Sequence, residues 1–121
     1  MNYYYLAASF ISLVVWAAHT FGGGPQVAKP LLESSMEDVP KYTNYYCWHL
    51  ITGVLFLNAL GYGYLSFDTK ARELAIFITL CVLFSMLWSL ALNAIFRLSW
   101  VSFPQWLLFL AVLVPAVLGL L

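Results

Sequence analysis

Residues 3–18 and 45–67 contain no charged side chain, and this absence constrains the fold more than any motif does. At least three uncharged stretches approach or exceed the roughly 20 residues that a helix needs to cross ~30 Å of hydrocarbon. In lipid the backbone must satisfy its own hydrogen bonds, which leaves helices or closed barrels. The apolar runs show neither the period-2 alternation nor the turn spacing of barrel strands. The sequence therefore predicts an all-α, four-transmembrane-helix bundle forming one integral membrane domain over 1–121. The expected helices are 2–20, 44–67, 71–97 and 103–121, with a longer first loop over 21–43. Composition agrees: 64% of residues are hydrophobic and 8% charged, against about 25% charged in soluble domains.

Helix 1 opens on Tyr3, Tyr4 and Tyr5, placed like an interfacial aromatic belt. The segment before it has no basic n-region and no clean small-residue cleavage site follows, so it reads as a retained helix rather than a signal peptide. Ser9, Ser12, Trp16 and His19 share one helical face, while Ala7, Ala8, Ala17 and Ala18 permit close helix approach. Gly22-Gly23-Gly24-Pro25 then predicts a chain turn. A phosphate-cradling loop would need a preceding strand and a Gly-Lys-Ser/Thr helix start, and neither is present. Ser34-x-x-Glu37 has the capping-box pattern and predicts a short interfacial helix inside the loop.

Thr43 or Asn44 is the expected N-cap of helix 2, with Tyr42, Tyr45, Tyr46 and Trp48 as an aromatic girdle. Gly53 and Gly61 mark places for helix packing, as does the stripe Cys81, Ser85, Ser89 and Asn93 on helix 3. Ser102-x-x-Gln105 is a second capping-box pattern, with Pro104 in a permissive first turn and Pro115 as a kink site in helix 4. Cys47 and Cys81 lack metal-type spacing and read as small buried apolar residues.

Four crossings place both termini and the Asp68 turn on one side, and loop 1 with the 97–105 turn on the other. Lys70 and Arg72 on the first side face Lys29, Lys41 and Arg97 on the second, and the N-terminal amine makes this a tie. The longer first loop is the better candidate for export, so the termini are expected in the cytoplasm. Topology collects His19, His49, Asn93 and Arg97 towards one boundary. Two readings of that face stand. It binds haem, a metal held by His19 and His49, or a quinone sandwiched by Trp16, Trp48 and Phe56. Alternatively, the imidazoles satisfy helix ends and Arg97 snorkels to headgroups. Two histidines alone underdetermine a zinc site, which Cys47, Glu33, Glu37 or Asp38 would have to complete.

The strings Ala18-His19-Thr20-Phe21-Gly22-Gly23 and Tyr45-Tyr46-Cys47-Trp48-His49 resemble those of small bacterial four-helix integral membrane proteins of uncharacterised activity. The likeness covers most of the chain. It implies a four-helix bundle in a bacterial inner membrane and assigns no catalytic residue.

Zero net charge without a basic patch argues against a nucleic-acid partner. The expected function is a non-catalytic accessory, assembly or interaction subunit, in lipid, as a homo-oligomer or within a larger membrane complex. A binding module for a lipophilic cofactor at the His19/His49/Arg97 face is the alternative, and a small oligomeric transporter or channel ranks third. The only mid-depth polar groups are Asn58 and the serine stripe, with no charge among them. An enzyme ranks last, because Cys47 and His49 point to different faces of one helix.

Overall fold

The computed structural model describes residues 1–121, which fold entirely as helices and turns. Helix α1 (Tyr3–Ala17) runs without interruption into a π-helical segment (Ala18–Ala28) and on into α2 (Lys29–Glu33), forming one rod of 31 residues. Helix α3 (Asp38–Phe67) returns alongside it, α4 (Arg72–Phe96) goes out again, and α5 (Gln105–Leu120) comes back. Three of these rods, Tyr3–Glu33, Asp38–Phe67 and Arg72–Phe96, are long and apolar enough to cross a membrane. The fourth helix has 16 residues, about 24 Å at the α-helical rise, and falls short of that length.

The largest departure from expectation is the loop at 21–43, which is helical except around residues 34–37. Gly22-Gly23-Gly24-Pro25 does not end the helix. In the π-helix each N–H reaches the carbonyl five residues back, as Lys29 N–H does to Gly24 O. The wider turn relieves the clash between the Pro25 ring and the carbonyl four residues back that breaks an α-helix. None of the glycines adopts positive φ. Gly23 is needed for proximity instead, since a Cβ there would lie 2.7 Å from Trp48 Cη2.

Neither capping box forms. Ser34 closes α2 rather than opening a helix, and its Oγ donates to Leu31 O at 2.7 Å. Helix α3 begins six residues before Asn44, with Asp38 suited to the positive helix end and Pro40 in the first turn, where its missing N–H costs little. Asn44 sits inside the helix and its Nδ2 donates to Pro40 O. Before α5, Ser99 organises the turn: its Oγ accepts from Ser102 N–H and its carbonyl from Phe103 N–H. The helix then starts at Gln105 without a side-chain cap, two residues later than expected, and passes through Pro115.

Packing follows the order α3, α1, α5, α4, and α4 meets α3 beside the turn that joins them, where Gly61 lies against Ile78. The buried stripes are Tyr5, Ala8, Ser12 and Val15 on α1, Leu55, Ala59 and Tyr62 on α3, Ile78 and Val82 on α4, and Val112 and Ala116 on α5. Their i, i+3, i+4, i+7 spacing is that of one helix face each. Tyr5 stacks on Tyr62 with ring centroids 6.2 Å apart.

Three hydrogen bonds gather the two termini and the Asp68 turn at one end, as the threading requires. Asn2 N–H donates to Ser66 O, Asn2 Nδ2 to Gly119 O, and an Arg72 guanidinium nitrogen to Leu120 O. Asn2 also caps α1, its Oδ1 accepting from Tyr4 and Tyr5 N–H. At the far end α4 stops at Arg97, which adopts the left-handed conformation (φ 51, ψ 41). Leu98 N–H then bonds back to Asn93 O, the six-to-one bond of a Schellman ending.

Candidate functional site

The residues that sequence reasoning collected at the far end separate into three groups. His19 lies in the first turn of the π segment and faces α3. Its Nε2 is 3.1 Å from Thr52 Oγ1, and its ring stacks on Trp48 at 3.9 Å between centroids and 18° between planes. Thr52 Oγ1 donates its single proton to Trp48 O at 3.0 Å. With its proton on Trp48 O, Thr52 Oγ1 accepts from His19 in the Nε2–H tautomer of the neutral imidazole, which leaves the lone pair on Nδ1. The wide turn and Gly23 permit this arrangement, because the Trp48 ring occupies the place of a side chain at position 23.

One turn towards the core, Trp16 packs on Phe56 at 5.3 Å and edge-on to Phe21 at 5.9 Å. Trp16 and Phe56 thus pack across the α1–α3 interface beside the His19–Trp48 stack, and Phe21 covers the edge of Trp16 from a mostly exposed position.

His49 does not join this cluster. It is exposed and meets Tyr45 of its own helix edge-on at 4.5 Å. Cys47 is an exposed free thiol. No group of three or more His, Cys, Asp or Glu side chains is gathered anywhere in the chain, so Glu33, Glu37 and Asp38 do not complete a metal set with the histidines. Axial ligation of haem by His19 through Nε2 would have to take that nitrogen from Thr52.

Arg97 and Asn93 form the third group. Arg97 is exposed at its cap position. Asn93 is 1% exposed, and its Nδ2 donates to Phe103 O, tying the end of α4 to the turn before α5. Of the expected helix-packing residues, Gly61 touches Ile78, Ser89 is buried, and Ser85 donates to Cys81 O. Gly53 faces open space.

Two contributors were missed by sequence reasoning. Thr52 stands four residues after Trp48 on α3, and only the pairing of α1 with α3 makes it the partner of His19. Gln105 was read as a cap. It lies on the same stripe as Phe109, Val112 and Ala116, so its carboxamide enters the bundle. Since Gly119 abuts Tyr5, stepping ~21 Å along each helix brings Gln105 level with His19. The apolar core stripes of the four helices thus turn polar at one level, with His19, Thr52, Ser89 to Asn93, and Gln105.

Towards the other end, the Asp68 carboxylate accepts from Tyr64 Oη at 2.8 Å and from Lys70 N–H at 3.1 Å. These bonds, the Tyr64 one foremost, hold its pKa below the ordinary carboxylate value. No family model matches the chain, and no curated protein or solved structure matches it.

Proposed function

We propose that this chain is an integral membrane protein that threads a bilayer four times, termini on the cytoplasmic side, and serves as a non-catalytic accessory or assembly subunit. Three rods of spanning length and hydropathy support the membrane reading. Further support comes from the outward side chains of α4, where Phe77, Leu80, Phe84 and Trp88 are all more than half exposed. In water such a surface would aggregate, whereas in lipid it is matched to its solvent.

The observation that carries the functional reading is the excess length of the first two rods. They have 31 and 30 residues, the α-helical second one about 45 Å long, where ~30 Å of hydrocarbon takes about 20 residues. With the Asp68 end at one interface, the hairpin around residues 34–37 stands roughly 15 Å beyond the other. That extension holds Lys29, Glu33, Glu37, Asp38 and Lys41, half of the charged residues of the chain. It also exposes Val39, Tyr42 and Tyr46 along one side of α3. A charged helical prong with Val39, Tyr42 and Tyr46 bare along one side supports a role in which another chain holds it.

The test is native mass spectrometry of the chain released from its own membranes in mild detergent, beside Tyr42→Glu/Tyr46→Glu. The expected result is a complex with another protein or with further copies, dissociated by the double substitution. A monomer that carries a chromophore or a quinone would instead support the cofactor reading at His19, and absorbance spectroscopy with lipid extraction would identify it. In that case His19→Ala should lose the ligand, while His49→Ala, whose ring is exposed and meets Tyr45 instead, should keep it.

A further inference from the structure

Every buried or half-buried helical serine or threonine hydroxyl in this chain has a hydrogen-bond partner within the protein except two. Thr20, Thr52 and Ser85 each donate to the carbonyl four residues earlier. Ser12 and Ser89, more deeply buried at 4% and 5% exposure, bond to nothing in the protein. Two other buried oxygens share that condition, Asn93 Oδ1 and Gln105 Oε1.

Their distribution is one-sided. Ser12 lies ~14 Å along α1, near the middle of the bundle, and Ser89, Asn93 and Gln105 lie between there and the 97–104 turn. In the half that holds the termini, interior polar groups are paired: Ser9 Oγ with Ala59 O, Tyr62 Oη with Thr79 Oγ1, and Ser66 Oγ with Gly63 O. A buried acceptor left without a donor costs at least as much as a lost hydrogen bond, and four in one half of so small a core require a compensating donor.

Space for one exists. A partly enclosed cavity of about 10 Å³ lies between Ser12 on α1 and Asn58 on α3, its remaining wall formed by Val15, Leu55, Val82, Phe109 and Val112. That volume is close to the minimum that holds a single water, and two polar side chains on its wall meet the usual requirement for keeping one. Ser89 and Asn93 are four residues apart on the core stripe of α4, and the Asn93 bond to Phe103 O draws the start of α5 and Gln105 towards them. These oxygens are all neutral, so the ligand they suit is a neutral hydrogen-bond donor of water size.

We propose that the half of the bundle facing the 97–104 turn binds ordered water. One molecule bridges Ser12 Oγ and the Asn58 carboxamide at mid-depth, and further water serves Ser89 Oγ, Asn93 Oδ1 and Gln105 Oε1. The half that holds the termini is dry. This inference concerns the bundle interior and stands whether the chain works alone or in a complex.

Solution NMR of the isotopically labelled chain in detergent micelles tests it through cross-relaxation between water and the Asn58 and Asn93 carboxamide protons. Cross-peaks are expected at both residues and absent at the backbone amides of Ala59, Tyr62 and Ser66. Ser12→Ala removes one of the two polar groups that hold this water, so the Asn58 peak should weaken while that of Asn93 remains. Ser12→Val fills the space, and the Asn58 peak should vanish while that of Asn93 remains. No Asn58 or Asn93 peak in the unaltered chain overturns the proposal, as do equal peaks in both halves of the bundle or an Asn58 peak that survives Ser12→Val.

Discussion

Three consecutive glycines should respond to the same substitution with opposite signs. Gly22, Gly23 and Gly24 all lie in the π segment with helical backbone. A Cβ at 22 or 24 would have no heavy atom within 4 Å, whereas one at 23 would stand 2.7 Å from Trp48 Cη2 and 3.2 Å from Cζ2. In a helix, Gly→Ala recovers roughly 0.5–1 kcal/mol of backbone entropy. Gly22→Ala and Gly24→Ala should therefore stabilise the chain by about that amount. At position 23 the same gain is opposed by overpacking, typically ~1–3 kcal/mol in a filled interface. The Trp48 ring cannot swing away cheaply, because it stacks on His19 with centroids 3.9 Å apart. A net loss of about 1–2 kcal/mol follows for Gly23→Ala. Equilibrium unfolding in mixed micelles, followed by tryptophan fluorescence and by circular dichroism, measures all three variants on one scale. Trp48→Leu should remove most of the penalty, giving a coupling between the two positions that departs from additivity. If Gly23→Ala proves as stable as its neighbours, the packing of the π segment against α3 is wrong. If all three substitutions destabilise, the glycines form a turn as the sequence alone suggests, and the long hairpin goes with them.

Four further outcomes are expected. Arg97→Gly should raise stability by about 1 kcal/mol in the same unfolding assay, since a left-handed residue with a Cβ is strained at the end of α4; a loss would mean that the Arg97 side chain matters more than its backbone. Gly119→Ala should cost roughly 1–3 kcal/mol, because its Cβ would lie 2.6 Å from the ring of buried Tyr5, while Gly53→Ala, facing open space, should be neutral or slightly stabilising. Asn2→Ala should cost about 1–2 kcal/mol and fray the termini in hydrogen exchange, as the Asn2 side chain both caps α1 and ties it to α5. Asp68 should titrate below the usual ~3.9 by NMR, and Tyr64→Phe should move it back up. Because the folded pKa is the lower one, the stabilisation it gives is present above the unfolded value and disappears as pH falls through the folded one. A titration unchanged by Tyr64→Phe refutes that assignment.

Much of this architecture is local and can be read without coordinates. Uncharged runs of 16 or more residues fix helix number and order, the Asp68-Thr69-Lys70 turn falls where polar residues interrupt them, and Ser12, Ser89 and Asn93 stand on core-facing stripes because 3.6 residues make a turn. Tertiary structure decided the rest, because the deciding contacts join residues far apart in the chain. Glycines and a proline at 22–25 are strong local signals for a turn, yet helix continues through them where a flat tryptophan from α3, 25 residues downstream of Gly23, lies against the bare backbone. The proximity of both histidines to one end followed from counting crossings, but which of them is held depended on rotation about each helix axis. His19 turns inward to a threonine 33 residues away, while His49 turns outward, and a pattern of residue types along one strand of text carries no record of that angle.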